Sequence, residues 1–148
     1  TLVPDAEDAI TSNAGWDTVE HRDYLKDVIA EFKSNGIRTS IFVDPVKKMI
    51  EGAAETGTDR IELYTESFAV NYEKDDTKAV KSYAECAVLA HELGLGINAG
   101  HDLSLKNIKF FRENVPHLDE VSIGHALISE ALYMGLEKTI QQYLKFLK

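Results

Sequence analysis

Two glycine–histidine pairs are the residues of this sequence that could most readily carry out chemistry. The first lies in INAGHDLSLKN (97–107) and ends at His101, and the second lies in SIGHALISEA (122–131) and ends at His125. In each stretch an apolar run stops and a helix-like pattern begins. Glycine lets the backbone approach a ligand, and the first N–H groups of a following helix have no partner within that helix. An imidazole there can donate to phosphate or transfer protons near neutral pH.

The pairs therefore indicate a site for a phosphate-bearing substrate, since a helix that begins after a strand is a common anion site. The alternative is that each histidine caps a helix or bonds to a backbone carbonyl. That alternative explains one pair more easily than it explains two.

Glu62 is a third candidate, because it lies in RIELY between Ile61 and Leu63. Alternation along a strand places Glu62 and Tyr64 on one face, and Ile61, Leu63 and Thr65 on the other. A carboxylate inside a barrel needs a partner or a function. The alternative is a glutamate at a sheet edge, paired with a nearby cation.

The elements that must position these residues alternate between short β-rich runs and amphipathic stretches, which is typical of βα units and a parallel sheet. The predicted strands are 1–4, 37–44, 59–67, 95–100 and 119–124. The predicted helices are 18–34, 45–55 with Asp44 as N-cap, 76–93, one capped by Ser104, and one that begins near His125 and continues to the end. No linker divides the chain, so 1–148 is predicted to be a single domain.

Five parallel strands fit either an open doubly wound sheet or part of a (β/α)8 barrel. Length alone favours the open sheet, because a full barrel needs about 200–250 residues. The polar residues at the strand ends favour the barrel. The fold class is therefore predicted to be α/β, a (β/α)8 TIM barrel of which this chain supplies about five βα units.

Composition limits the class of partner. The formal net charge of −9 argues against a nucleic-acid footprint. No apolar run approaches the ~18–20 residues of a membrane span, so no membrane is expected. Cys86 is the single cysteine; we expect a buried thiol and cytoplasmic residence. No spacing of cysteines and histidines resembles a metal site, and none is expected.

Six stretches, in this order, resemble the pyridoxine 5′-phosphate synthase family: LVPD, GIRTSIFVD, DRIELYTESFA, GLGINAGHDLSLKNI, DEVSIGHALISEAL and GLEKTIQQY. The resemblance implies a (β/α)8 barrel that condenses 3-amino-2-oxopropyl phosphate with 1-deoxy-D-xylulose 5-phosphate. The products are pyridoxine 5′-phosphate, inorganic phosphate and water. It also implies no metal, no bound organic cofactor, small phosphorylated substrates and a symmetric homo-oligomer.

The resemblance further implies roles for individual residues. His101 would be the proton donor, and Glu62 the carboxylate that stabilises the transition state. Thr11 would contact the deoxyxylulose phosphate, although TSNAG stands where the family has TTEGG.

The other phosphate substrate, the aminoketone, would be held by Asp102, Gly124 and His125. Position 102 is Asp where many relatives have Gly, which places an anionic side chain near a phosphate contact.

The family's barrel begins with three further βα units, which carry another histidine and a glutamate of the catalytic site. The five strands would then be the fourth to eighth, and we expect this chain to be a portion of the enzyme that is inactive alone. Two other hypotheses stay open. One is a different sugar-phosphate barrel lyase or isomerase, and the other is a non-catalytic half-barrel binding module.

Overall fold

Parallel strands in sequential order make up the sheet, in a computed structural model that describes residues 1–5 and 8–148. The strands are β1 (Ser40–Val43), β2 (Arg60–Tyr64), β3 (Gly96–Gly100) and β4 (Leu118–Ser122), and they lie in the order β1-β2-β3-β4. All of the pairings are parallel. In a doubly wound sheet the strand order reverses at a switch point. The sequential order is therefore that of part of a (β/α)8 barrel, and the predicted α/β class is confirmed.

One helix precedes β1, others connect consecutive strands, and two follow β4. They are α1 (Arg22–Ser34), α2 (Lys47–Glu55), α3 (Glu66–Tyr72), α4 (Asp76–Glu92), α5 (Ile108–Asn114), α6 (His125–Met134) and α7 (Leu136–Leu147). Among the described residues, no helix combines the length and the apolar character needed to cross a membrane.

The predicted first strand, 1–4, is reduced to a single parallel bridge between Leu2 and Ile41, beside β1. Leu2 donates to the Ser40 carbonyl at 2.8 Å and accepts from the Phe42 N–H at 2.9 Å. The next donor along this segment would be Pro4, which has no N–H. The Phe42 carbonyl instead accepts from the Trp16 N–H at 2.8 Å. The segment lies where the sequence predicts, but proline ends the ladder after one bridge.

The prediction that Asp44 caps the following helix is wrong. Helix α2 begins at Lys47, and its N-cap residue is Val46, whose side chain makes no capping bond. The Asp44 carboxylate instead accepts a 3.1 Å hydrogen bond from the Gly15 N–H. Asp44 thus fixes the loop that leads into α1.

Two later helix predictions also need correction. Helix α5 begins at Ile108, with Asn107 at its N-cap, and not at Ser104. The Ser104 N–H donates to the Asn107 side chain at 2.9 Å, so Ser104 begins a turn ahead of the helix. The predicted last helix is divided at Gly135, whose φ of 85° lies in the left-handed region that favours glycine.

Alternation sorts the strand side chains onto two faces, as predicted for β2. The outer face packs against the helices and contributes Ile41, Val43, Ile61, Leu63, Ile97 and Ala99 to the apolar core. The inner face carries Phe42, Glu62, Tyr64 and Asn98 at buried positions, and none of these belongs to that core. Cys86 is buried in α4, as predicted, and burial raises the pKa of its thiol to about 11.

The pairing of β3 with β4 contains one extra residue. Ile97 lies opposite Leu118, but Asn98 lies opposite Glu120, so Asp119 has no partner residue. The Asp119 carboxylate accepts from the Ile97 N–H at 2.9 Å and takes the place of a backbone acceptor.

Candidate active site

A cavity of about 820 Å³ opens at the carboxyl ends of the strands. Five of the six predicted site residues line this cavity, namely Thr11, Glu62, His101, Gly124 and His125. The sixth, Asp102, lies behind it, in contact with His101. The volume falls within the range of ~300–1,000 Å³ that is usual for sites of small ligands.

His101 leaves the end of β3 in an unusual backbone conformation. Its φ is 83°, in the left-handed region that non-glycine residues rarely adopt. Its N–H donates to the Ser122 carbonyl at 3.2 Å, which continues the pairing with β4 by one residue. A strained backbone held by its neighbours is found most often at functional sites.

Both ring nitrogens of His101 are in hydrogen-bond contact. Nε2 lies 2.7 Å from the Thr11 hydroxyl, and Nδ1 lies 2.8 Å from the Asp102 carboxylate. The ring also lies edge-on to Tyr64, with 5.7 Å between centroids. These contacts fix the imidazole in one orientation, with its Nε2 side towards Thr11 and the cavity.

Glu62 reaches the same cavity from the middle of β2, and its residue is 7% exposed. Its Oε2 accepts a 2.7 Å hydrogen bond from the Thr1 hydroxyl. Because β2 lies between β1 and β3, Glu62 is not at a sheet edge. Among the described residues no cation lies within ion-pair distance of Glu62, so the edge-pair alternative is wrong.

Gly100 leaves room for the Glu62 carboxylate beside β3 and β4. A Cβ at position 100 would lie 2.5 Å from the Ser122 carbonyl oxygen and 2.8 Å from Oε1 of Glu62. Both distances are shorter than a Cβ tolerates. The first pair therefore requires glycine, because no larger residue fits between β3, β4 and the Glu62 carboxylate.

The second pair begins α6 at the far side of the cavity. Gly124 is the N-cap residue and His125 is the first residue of the helix. The rings of His101 and His125 face each other edge-on, with centroids 6.3 Å apart. The open space around Gly124 and the unpaired N–H groups of the first turn leave room for an anionic group there.

Several site residues were not predicted. Thr1, Phe42 and Ser122 line the cavity, and Thr65 supports it from behind. The Thr65 hydroxyl donates to the Gly100 carbonyl and accepts from the Asp102 N–H, which fixes the turn that carries His101. Phe42 could have been found by alternation along β1, whereas nothing in the sequence indicates the contacts of Thr65.

Tyr64 is a further neighbour of His101, and its hydroxyl donates to Glu66 at 3.1 Å. Burial, followed by the bond to Glu66, raises the pKa of Tyr64 to about 12. Tyr64 is therefore a neutral phenol at physiological pH, and its ring packs edge-on against that of His101.

The arrangement combines a carboxylate, two imidazoles and a helix N-terminus around one opening. Such a set can protonate a leaving hydroxyl, stabilise a developing positive charge and bind a phosphate.

Comparison with known proteins identifies the family. The model of the family described as "Pyridoxal phosphate biosynthesis protein PdxJ" matches residues 1–148. The chain is 85% identical to the pyridoxine 5′-phosphate synthase of Christiangramia forsetii, 67% to that of Flavobacterium johnsoniae and 60% to that of Cytophaga hutchinsonii, in each case over its full 148 residues. It spans 62% of the length of each of these relatives. The chain therefore belongs to the PdxJ family of pyridoxal phosphate biosynthesis proteins.

Proposed function

We propose that the protein containing this chain is a pyridoxine 5′-phosphate synthase of vitamin B6 biosynthesis. It condenses 3-amino-2-oxopropyl phosphate with 1-deoxy-D-xylulose 5-phosphate and releases pyridoxine 5′-phosphate, inorganic phosphate and water. The observation that carries the proposal is the single cavity that brings together Glu62, His101 and His125. The names of the relatives support the same reaction.

In this proposal His101 is the proton donor. Formation of an imine and each loss of water need a proton delivered to a leaving oxygen, and an imidazole titrates in the range where this is efficient. Glu62 is the carboxylate that stabilises the transition state. Its low exposure strengthens its attraction for the positive charge of an iminium nitrogen.

The two phosphorylated substrates occupy opposite sides of the opening. Thr11 contacts the deoxyxylulose phosphate, next to Nε2 of His101. Gly124 and His125, at the start of α6, hold the phosphate of the aminoketone. The net charge of −9 over these 148 residues makes this local donor set important, because a negative net charge repels anions.

We further propose a homo-oligomer located in the cytoplasm. The single cysteine of the chain is buried, in keeping with a reducing compartment. In this portion of the barrel, large apolar side chains on α6 and α7 are exposed to 40% or more, and a second subunit and the rest of the barrel would together cover them; they are Ile128, Leu132, Tyr133, Met134, Leu136 and Leu144. Sedimentation analysis of the complete natural protein tests the assembly, and a monomer at micromolar concentration would contradict it.

The experiment for the reaction uses the complete natural protein and both substrates. We expect pyridoxine 5′-phosphate and inorganic phosphate to form in equal amounts. His101→Ala should lower kcat by about 10²–10⁴, whereas His91→Ala, an exposed position near the end of α4, should retain wild-type activity.

If the complete protein converts a different sugar phosphate but does not condense these two substrates, the lyase or isomerase hypothesis is favoured. Binding of both substrates without any turnover by the complete protein would favour the binding-module hypothesis.

A further inference from the structure

The side chain of Asp102 has no direct route to the cavity. Asp102 is absent from the residues that line the cavity, and its N–H is bonded to the Thr65 hydroxyl at 3.1 Å. The one described partner of its carboxylate is Nδ1 of His101, at 2.8 Å. The hydrogen bond to the imidazole is therefore the direct contact through which this carboxylate can act on the reaction.

The contact with Asp102 decides which nitrogen of a neutral His101 carries the proton. An ionised carboxylate only accepts hydrogen bonds, so Nδ1 must be the protonated nitrogen. Nε2 is then the acceptor, and the Thr11 hydroxyl 2.7 Å away must donate to it. The result is a chain of hydrogen bonds from Thr11 through His101 to Asp102, with the basic nitrogen on the cavity side.

Burial of the pair makes the contact effective. The His101 and Asp102 side chains are 23% and 28% exposed, so water competes only in part for their hydrogen bond. Asp102 follows His101 directly, and its backbone is fixed by Thr65, which leaves the carboxylate little freedom to turn away.

We propose that Asp102 is a positioning residue that keeps His101 protonated on Nδ1 and thus aims Nε2 at the substrate. The inference rests on the proposed function and deepens it: the proton donated by His101 leaves from Nε2, and Asp102 stabilises the imidazolium before that transfer. A relative with Gly at this position has no such carboxylate and must orient its histidine by other means.

Asp102→Asn tests the role in the complete natural protein. The asparagine has the same size, but it can present either its carbonyl oxygen or its amide N–H to Nδ1, so it no longer fixes the tautomer. We expect kcat to fall by about 10- to 100-fold, a part of the ~10²–10⁴ that general acid–base catalysis contributes. KM for each substrate should stay within about twofold, because the binding contacts are unchanged.

Nitrogen chemical shifts provide a readout that a purely structural role would not move. In the protein with ¹⁵N-labelled histidine, two-bond ¹H–¹⁵N correlation should show His101 protonated on Nδ1 when the ring is neutral. The His101 signals are assigned by their loss in His101→Gln. In Asp102→Asn they should move towards a mixture of both tautomers.

The matched control is Asp23→Asn, which removes the same charge from a side chain of α1 that is 92% exposed. We expect wild-type kcat and unchanged His101 signals in this variant. An unprotonated Nδ1 in the neutral wild-type ring would overturn the inference without any variant. Wild-type kcat in Asp102→Asn, or a lower kcat with unchanged tautomer signals, would overturn it as well. Absence of pyridoxine phosphate formation by the wild-type protein would instead refute the proposed function, and the chemical shifts would still test the role of Asp102.

Discussion

The Tyr143 hydroxyl donates a 2.6 Å hydrogen bond to the Glu130 carboxylate, and this bond joins α7 to α6. The other oxygen of Glu130 accepts from the Leu105 N–H at 3.1 Å, in the loop that follows His101. Burial, together with the bond to Glu130, raises the pKa of the Tyr143 hydroxyl. A single carboxylate therefore links the two sides of the cavity, the His101 loop and the helix that begins at His125.

Removal of the Tyr143 hydroxyl should loosen this link. Tyr143→Phe loses a bond to a charged acceptor, which should lower the free energy of unfolding by about 1.5–3 kcal/mol. Urea unfolding of the complete natural protein measures the change. Tyr24→Phe is the matched control, because Tyr24 is 60% exposed and its hydroxyl has no described partner. Equal stabilities of the two variants would contradict the role of the bond.

Gly100→Ala should damage both stability and activity. The added Cβ would press on the Ser122 carbonyl and on Glu62, so either β3 separates from β4 or the carboxylate moves. We expect a loss of about 1–3 kcal/mol, the usual cost of overpacking, together with a fall in kcat.

Gly124→Ala is the control for stability, because a Cβ there meets no atom within 4 Å. Thermal unfolding of both variants distinguishes the positions. A Gly124→Ala protein that unfolds at the wild-type temperature but binds the aminoketone phosphate more weakly would show that its glycine serves the ligand.

The left-handed backbone of His101 predicts an unusual order of stability. His101→Gly should be more stable than His101→Ala by about 0.5–1 kcal/mol, because glycine adopts a φ of 83° without strain. At most helix and strand positions the order is the reverse. Both variants should show the fall in kcat expected for loss of the imidazole, and denaturant unfolding ranks their stabilities. A more stable alanine variant would show that the backbone at this position relaxes without cost.

Asp59 should make stability depend on pH in the acid range. Its carboxylate accepts from the Thr39 N–H at 2.8 Å and from Lys33 at 2.9 Å. The bond from Thr39, followed by that from Lys33, holds the pKa of Asp59 below its usual value of 3.8. A carboxyl group with a depressed pKa in the folded protein stabilises it above the pKa of the unfolded chain. This contribution is lost as the pH falls through the folded value.

The test is urea unfolding of Asp59→Asn and of the wild type from pH 7 down to pH 3. The difference in unfolding free energy should be constant near neutral pH and should shrink below about pH 4. Asp27→Asn, at an exposed position of α1, should show no such convergence. A difference that persists unchanged at pH 3 would contradict the assignment.

Local patterns predicted the repeating elements and the faces of the strands. Ile61 and Leu63 pack outwards and Glu62 inwards, because alternation is a local property of extended chain. The same rule, with the common direction of the strands, placed His101 and His125 at one opening.

Features that depend on distant partners could not be predicted in this way. Asp44 precedes a proline, as a helix N-cap residue often does, but its carboxylate accepts from the N–H of Gly15, 29 positions away. Helix α3 was missed, because its packing comes from Phe68 against Phe111 of a later element. The contact of Thr11 with His101 joins residues 90 positions apart, which only the tertiary fold brings together.

Asp119, the extra residue in the pairing of β3 with β4, affects the orientation of the β4 side chains that follow it. Because strand side chains alternate with a period of two, one extra residue reverses which of them face inwards from that point. It is this inversion that sends Val121 to the core and Ser122 to the cavity. If Asp119 were instead paired with Asn98 in a regular ladder, Val121 would face the cavity and Ser122 the core. The extra residue thus decides that Ser122, two positions before the second glycine–histidine pair, lines the cavity.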